Sequence, residues 1–391
     1  MIMDLQQKNI LFACCYEAQY GGNFIKMLIS LGNTLKIKFN AKVFFLFPKQ
    51  IEKKWLVELK EHFQIGYTCK PYSKSTNDIL AKIIEWDIDI VHTHFEGYDI
   101  PVAKAIRKSG REVKMVWHLH DYISFDKTGL RFKFLRKVGT NLRLWLQYGW
   151  YGRKAYFIGV SAEVTNIACH YRSHIFSLPK IYSNDELLKL KFPKADVVLN
   201  GIDMSRLKDK YNPKNKIFTF LSFGGESYSK GIPCILKAAR ILANRKCHFN
   251  VLLTCGYTTQ KLLDEVYKGI LPEWLKVINQ TDDICSLFNQ ANCYISASLK
   301  ETMSMGIAEA SIYGLPVIQS DIPGTYWNAG NESTYLFQVN DVISLANQME
   351  KVMNEDVDQL NEKCEASKNN NCSLLSMDKW VNSIIYIYRN I

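Results

Sequence analysis

Short runs of β-branched and aromatic residues alternate along this chain with longer stretches of mixed polarity. In the first half the runs are Ile10–Cys15, Ala41–Phe47, Ile88–His92, Lys114–Leu119, Tyr156–Ser161 and Asp196–Leu199. In the second half they are Ile217–Phe223, Phe249–Cys255, Cys293–Ser296 and Leu315–Gln319. Near-continuous apolar strands separated by helical stretches predict parallel sheets covered on both faces, and there are enough strands for two sheets. The chain therefore reads as α/β.

The polar, proline-containing segment Asp203–Lys216 separates the two strand series and predicts a boundary between two Rossmann-like halves, 1–205 and 206–370. Beyond Ser344 the pattern is helical to the end, with an expected break at the polar stretch Ser367–Ser373 and a terminal helix within 371–391. No repeat of solenoid period and no low-complexity tract is present.

Composition narrows the class. With 391 residues, 47% hydrophobic and 22% charged, the chain is neither disordered nor fibrous. Its 11 cysteines lack metal-ligand spacing and read as buried thiols of a reduced compartment. No signal peptide and no apolar run long enough to cross a bilayer stands out, so a cytoplasmic protein is expected, at most lying on the inner face of the cell membrane.

Charge adds a feature. The net charge of +11 is concentrated: between Phe125 and Tyr156 eight basic residues face the single Asp126, which places +7 of it in about thirty residues. At 100° per residue Leu130, Phe134, Leu135, Val138, Leu142, Trp145 and Leu146 share one side, with Lys133, Arg136, Lys137 and Arg143 opposite. This predicts a basic amphipathic helix flanked by aromatics. Arg131, Lys133, Arg136, Lys137 and Arg143 are its candidate membrane-facing cations, and an anionic membrane surface is the expected partner. Nucleic acid is not, because no recognition module accompanies the charge.

Parallel sheets bind ligands at the carboxyl ends of their strands, which confines the search for chemistry. The first strand leads into Tyr16–Asn23, whose adjacent Gly21 and Gly22 would let backbone amides approach an anion. His92 and His94 end one strand, and His118 and His120 another. Strand-end histidines can hydrogen-bond a sugar hydroxyl or a phosphate, and alternation is expected to turn His120 rather than His118 toward a ligand. In the second half a strand runs into Gly224-Gly225-Glu226 and Lys230-Gly231 just before a helix, the combination of amides, dipole and ammonium that holds a diphosphate. Ser304 is placed to cap a helix that ends at Gly314. Glu301 then precedes this helix and Glu309 sits within it, two carboxylates able to grip the hydroxyls of a nucleotide sugar.

These pieces together resemble the family 4 glycosyltransferases of GT-B fold. The resemblance rests on Gly21-Gly22, on Asp89–His94, on Trp117–Asp121 around His120, on Val160–Glu163 and on Asn200–Asp203. It continues through Lys230-Gly231, Asp282–Ser298, the Glu301 and Glu309 pair and Glu309–Asp321. Each piece alone is common, but their order and spacing are specific. The resemblance implies two Rossmann-like domains facing across a cleft, the first binding acceptor and the second donor, with the terminal helix returning to the first. It implies a retaining transfer of a sugar from a nucleotide-diphosphate donor, most simply a UDP-sugar, to a glycan or polyprenyl-diphosphate-linked acceptor in capsule, exopolysaccharide or lipopolysaccharide assembly. No metal and no cofactor are expected.

Carried over by position, the resemblance implies His120, Lys230 and Glu301 as the catalytic set, and Gly21 and His94 on the acceptor side. It implies donor contacts from Gly22, Gly224, Gly225, Thr302, Met303, Ser304, Met305, Gly306 and Glu309. One departure matters: the arginine usual five or six residues before this lysine is replaced here by Gly225 and Gly224. Backbone amides, with Ser227 or Ser229, are expected to stand in for it. A non-catalytic partner subunit and a sugar-nucleotide epimerase are the alternatives.

Overall fold

The structure is a computed structural model, and it describes residues 3–49, 53–69, 74–123, 133–175, 177–187, 189–207 and 217–391. The chain divides into two units, Met1–Gly201 with Met377–Ile391, and Ile202–Ser376. Residues 208–216 of the expected boundary segment, and Arg131 of the basic cluster, lie outside the described residues.

The first unit holds seven parallel strands: β1 (Asn9–Cys14), β2 (Lys42–Pro48), β3 (Gln64–Thr68), β4 (Ile90–His94), β5 (Lys114–Leu119), β6 (Tyr156–Gly159) and β7 (Ala195–Val197), in the order β3-β2-β1-β4-β5-β6-β7. Alternation sends neighbouring residues to opposite faces. Phe12 and Phe45 enter one core with Leu28 and Leu31, while Leu11 and Leu46 enter the other with Val102 and Trp117. The helix Met377–Asn390 belongs to this unit, because Trp380, Val381, Ile384, Ile385 and Tyr388 form a helical stripe buried in the first of those cores.

The second unit holds six parallel strands: β8 (Phe218–Phe223), β9 (Phe249–Cys255), β10 (Leu275–Asn279), β11 (Cys293–Ser296), β12 (Val317–Ser320) and β13 (Thr334–Phe337), in the order β10-β9-β8-β11-β12-β13. The sequence pattern misses β3, β10 and β13. All three are edge strands, so one side stays near solvent and the continuous apolar signature of a central strand is lost.

The expected break at Ser367–Ser373 does not occur: one helix runs from Val357 to Leu374. Asn371 is fully buried and donates to Asn328 and Ser311 while accepting from Asn331. Polar composition marks a loop only when the side chains need water, and these amides satisfy one another.

Candidate active site

In each sheet the chain reverses direction of travel once, between β1 and β4 in the first unit and between β8 and β11 in the second, so the loops leaving those strands diverge and open a crevice. The candidate residues fall at these two places.

In the second unit the loop after β8 carries Lys230 and the loop after β11 carries Glu301. Lys230 Nζ donates to Glu301 Oε1 at 2.6 Å, and Ser298 Oγ donates to the same oxygen at 2.8 Å. Two glycines make this juxtaposition possible. Gly231 has a φ of +67°, and a Cβ there would lie 1.8 Å from the Ala297 carbonyl oxygen. A Cβ on Gly324 would lie 1.9 Å from the carbonyl oxygen of Glu301 itself. A cavity of about 210 Å³ opens beside the pair, lined by Lys230, Tyr294, Ser298, Glu301, Ser304 and Gly306 among others. Met303 and Met305 also line it, and Thr302 does not.

The helix Met305–Tyr313 presents its N-terminus to that cavity and ends on left-handed Gly314. Ser304 occupies the N-cap position, yet its side chain makes no capping hydrogen bond. The expected hydroxyl cap is therefore corrected: the Ser304 carbonyl accepts the first helical hydrogen bond, from Ala308 N–H at 3.2 Å, and its hydroxyl caps none of the first-turn amides. Gly306 lies against Tyr294, whose hydroxyl would be 2.2 Å from a Cβ at that position. Glu309 is buried in this helix, and burial pushes its carboxyl up to about 7 although the Arg206 guanidinium works in the other direction. Arg206 Nη1 donates to Glu309 Oε1 at 3.0 Å and its other amino group lies 3.5 Å from Asp282. Sequence reasoning passed over Arg206, because only the fold brings its 3₁₀ helix, Met204–Leu207, beside the helix of Glu309. Asp283 caps the short helix Ile284–Phe288 by accepting from Ser286 N–H, a structural duty.

Three of the expected stand-ins for the absent arginine are otherwise engaged. The Gly224 N–H donates to Thr254 Oγ1 at 2.9 Å, and a Cβ on Gly224 would lie 2.0 Å from the Thr254 carbonyl oxygen. Gly224 is thus required by packing against β9 and does not offer its amide to a phosphate. Ser227 is fully buried, with its hydroxyl donating to Thr259 Oγ1 at 2.9 Å. Ser229 Oγ donates to the Glu226 carbonyl oxygen at 3.0 Å. Gly225, with φ +52° and only the Lys230 side chain within reach of a Cβ, keeps an accessible backbone.

In the first unit Gly22 opens the helix Gly22–Phe39 at φ +53° with free space beside it, a conformation and an access that favour glycine. Gly21 is different. It is buried, and a Cβ there would collide with Trp55 Cβ at 2.7 Å, so its role is packing and not a direct acceptor contact. His94 is also fully buried, with 3.0 Å between His94 Nδ1 and His120 Nε2. His120 lies between Phe24 and Phe95, at ring separations of 5.6 and 4.9 Å. Burial drives its imidazole down to about 3, so it is a neutral hydrogen-bonding group at working pH. The expectation that alternation separates His118 from His120 is corrected: residues two apart on a strand share a face, and their rings stack at 4.2 Å.

The basic segment forms a helix over Lys133–Leu144, with Arg136 and Lys137 in its second turn, followed by a π-helix over Trp145–Tyr151. Its buried side consists of Asn141, Leu144, Gln147 and Tyr148. Val138, Leu142, Leu146 and Trp150, along with Arg143, are exposed. Arg107 and Arg153 stand over the Trp150 ring and Lys104 over that of Tyr151. Among the described residues no helix is long and apolar enough to cross a membrane.

The family model described as Glycosyltransferase Family 4 matches residues 48–206, and the model described as Glycosyl transferases group 1 matches residues 203–371. The UDP-Gal:alpha-D-GlcNAc-diphosphoundecaprenol alpha-1,3-galactosyltransferase of Escherichia coli is 25% identical over 287 residues, which cover 69% of this chain and 67% of that protein. A glycosyltransferase from Rickettsia africae superposes with a TM-score of 0.71 at 16% identity, covering 98% of both chains. HepE of Anabaena, solved with UDP-glucose, gives a TM-score of 0.69 at 16% identity, covering 96% of this chain and 98% of its own. The structural likenesses share the GT-B fold, and the two sequence models together account for most of the chain, the carboxylate pair and the lysine included: the protein belongs to the family 4 glycosyltransferases.

Proposed function

We propose that the enzyme transfers a hexose from a UDP-sugar, with retention of configuration, to a lipid-linked glycan acceptor at an anionic membrane face. The observation that carries this reading is the Lys230 to Glu301 contact of 2.6 Å beside a helix N-terminus, in a cavity that also admits Gly306. Cleaving a sugar from a nucleotide diphosphate builds negative charge on the leaving phosphate and positive charge on the ring. An ammonium and helix-terminal amides held in advance stabilise the former, and a set of such donors contributes several kcal/mol, roughly 2.7–4 for one well-aimed group.

Lys230 has three protons and spends one on Glu301, which leaves two for phosphate oxygens. Glu301, with one oxygen occupied, offers the other to hydroxyls of the donor sugar. Glu309 suits the two vicinal hydroxyls of a ribose, because a carboxylate accepts from both at once. The segments Thr254–Gly256 and Ile278–Gln280 end the paired strands β9 and β10, with Ile278 opposite Thr254, and their backbone groups suit a base edge. In the first unit neutral His120, held by His94, is a candidate hydrogen-bond donor to a sugar hydroxyl. No metal is invoked, since Lys230 and the helix terminus supply the positive charge.

The acceptor class rests on the exposed stripe Val138, Leu142, Leu146 and Trp150 among basic residues, which supports docking at headgroup depth. The E. coli relative named above acts on a diphosphoundecaprenol-linked sugar. Capsule, exopolysaccharide or lipopolysaccharide assembly is the setting proposed. Incubation with UDP-hexoses and a polyprenyl-diphosphate glycan, followed by NMR of the product's anomeric centre, tests the whole reading. An α-linked product from an α-donor is expected; inversion, or release of UDP without a glycosylated lipid, overturns it.

A further inference from the structure

We infer that His92, His94 and His118 of the first unit form a buried site for one divalent transition-metal ion of the zinc class. The pairing of β4 with β5 sets His94 directly beside His118, and His92 lies two residues back on the same face. One ring nitrogen from each lies within 4.8 Å of the others, and the three side chains are at most 2% exposed.

The outward-facing nitrogens explain the orientation. His92 Nδ1 lies 2.6 Å from the Tyr388 hydroxyl and His94 Nδ1 lies 3.0 Å from His120 Nε2. With Nδ1–H donating in both cases, each Nε2 is left with an unshared pair for a ligand. Among the described residues neither Nε2 has a hydrogen-bond partner, and neither nitrogen of His118 has one. Buried polar atoms without partners are uncommon, and one common ligand would satisfy one nitrogen of each ring, three of these four atoms. A histidine that ligates a metal characteristically donates its other ring N–H to a neighbour that fixes its tautomer, the arrangement found at His92 and His94.

Three imidazole nitrogens suit Zn²⁺, Co²⁺ or Ni²⁺, whereas Mg²⁺ and Ca²⁺ require oxygen ligands. Metal–nitrogen bonds of about 2.0–2.1 Å would draw the nitrogens closer than their present spacing. Such an ion would tie β4 to β5 and, through the hydroxyl of Tyr388, brace the terminal helix. Its role is structural and separate from the Lys230 site, which belongs to the other unit.

The test uses the tag-free full chain, stripped with chelator and dialysed against Zn²⁺ or Co²⁺. One retained equivalent by elemental analysis, a tetrahedral Co²⁺ absorption spectrum and a melting temperature raised by several degrees are expected. His170→Ala/His174→Ala removes the exposed stacked pair, whose rings are 4.6 Å apart, and should keep that equivalent. His118→Ala should lose it, and Tyr388→Phe should weaken binding about tenfold. If the stripped wild-type chain shows no Co²⁺ spectrum and melts as before, or if the retained metal disappears in the His170/His174 variant, the proposal is overturned and the nitrogens are bridged by water or by nothing.

Discussion

The guanidinium of Arg206 bonds the Glu309 carboxylate at 3.0 Å, joining the short 3₁₀ helix Met204–Leu207 to a residue 103 positions further along the chain. Both side chains are largely buried, so the pair is poorly screened and the loss of either partner is felt by the other. Arg206→Ala removes the one cation that counters the burial of Glu309, and its carboxyl should then titrate above 7. Donor affinity should fall about tenfold at pH 7 and less at pH 9, where Glu309 ionises unaided, as titration calorimetry with UDP can measure. An equal loss at both pH values would separate Arg206 from Glu309.

Glu309 also predicts a pH dependence in the intact enzyme. Below about 7 its carboxyl is protonated and no longer accepts from two hydroxyls, so donor affinity should weaken by about tenfold per pH unit beneath that point. His120 titrates near 3 and stays neutral throughout this range. Glu309→Gln should bind weakly and show a flat profile between pH 5.5 and about 8. For stability the sign is the reverse. The folded carboxyl titrates near 7 and the unfolded one near 4.3, so the folded state holds the extra proton and stability declines as pH rises across that interval.

Lys230→Ala should reduce kcat/KM by about 10²–10³, since it deletes a fixed cation aimed at the leaving group. It also leaves Glu301 without its ammonium partner. Lys230→Arg, which keeps the charge, should recover part of the rate, and Glu301→Gln should lower kcat with little change in UDP affinity. Equal loss of UDP affinity in Glu301→Gln would move that residue from the sugar to the nucleotide.

The adjacent glycines of the Lys230 loop should behave differently. Gly224→Ala forces a methyl to within 2.0 Å of the Thr254 carbonyl and should destabilise the fold by several kcal/mol, about the 1–3 typical of overpacking or more. Gly225→Ala meets only Lys230 and pays for its left-handed φ alone, about 1 kcal/mol. Thermal unfolding of the two variants distinguishes them, and equal losses would contradict the packing described for Gly224.

Leu142→Ser with Trp150→Ser should abolish sedimentation with phosphatidylglycerol vesicles while leaving UDP affinity and melting temperature within experimental error, because both side chains are exposed. Binding of the parent should weaken as salt rises, as expected where Arg107, Arg143 and Arg153 supply attraction to anionic lipid.

The α/β class, the central strands, Lys230, and Glu301 and Glu309 around a helix start were legible in the sequence, because apolar periodicity and helix punctuation are local signals. The edge strands β3, β10 and β13 were not, since strands with a side near solvent lose that pattern, and the helix through Asn371 was hidden because its polar residues bond one another instead of water. Which glycine serves packing and which leaves its backbone accessible depended on what stands opposite: Thr254 beside Gly224, Trp55 beside Gly21, open space beside Gly22. The Arg206 to Glu309 pair, the Tyr388 to His92 contact and the cluster of imidazoles on β4 and β5 join positions remote in the chain. Sequence spacing carries no information about such contacts; only the order in which the strands assemble and the faces their side chains share decided them.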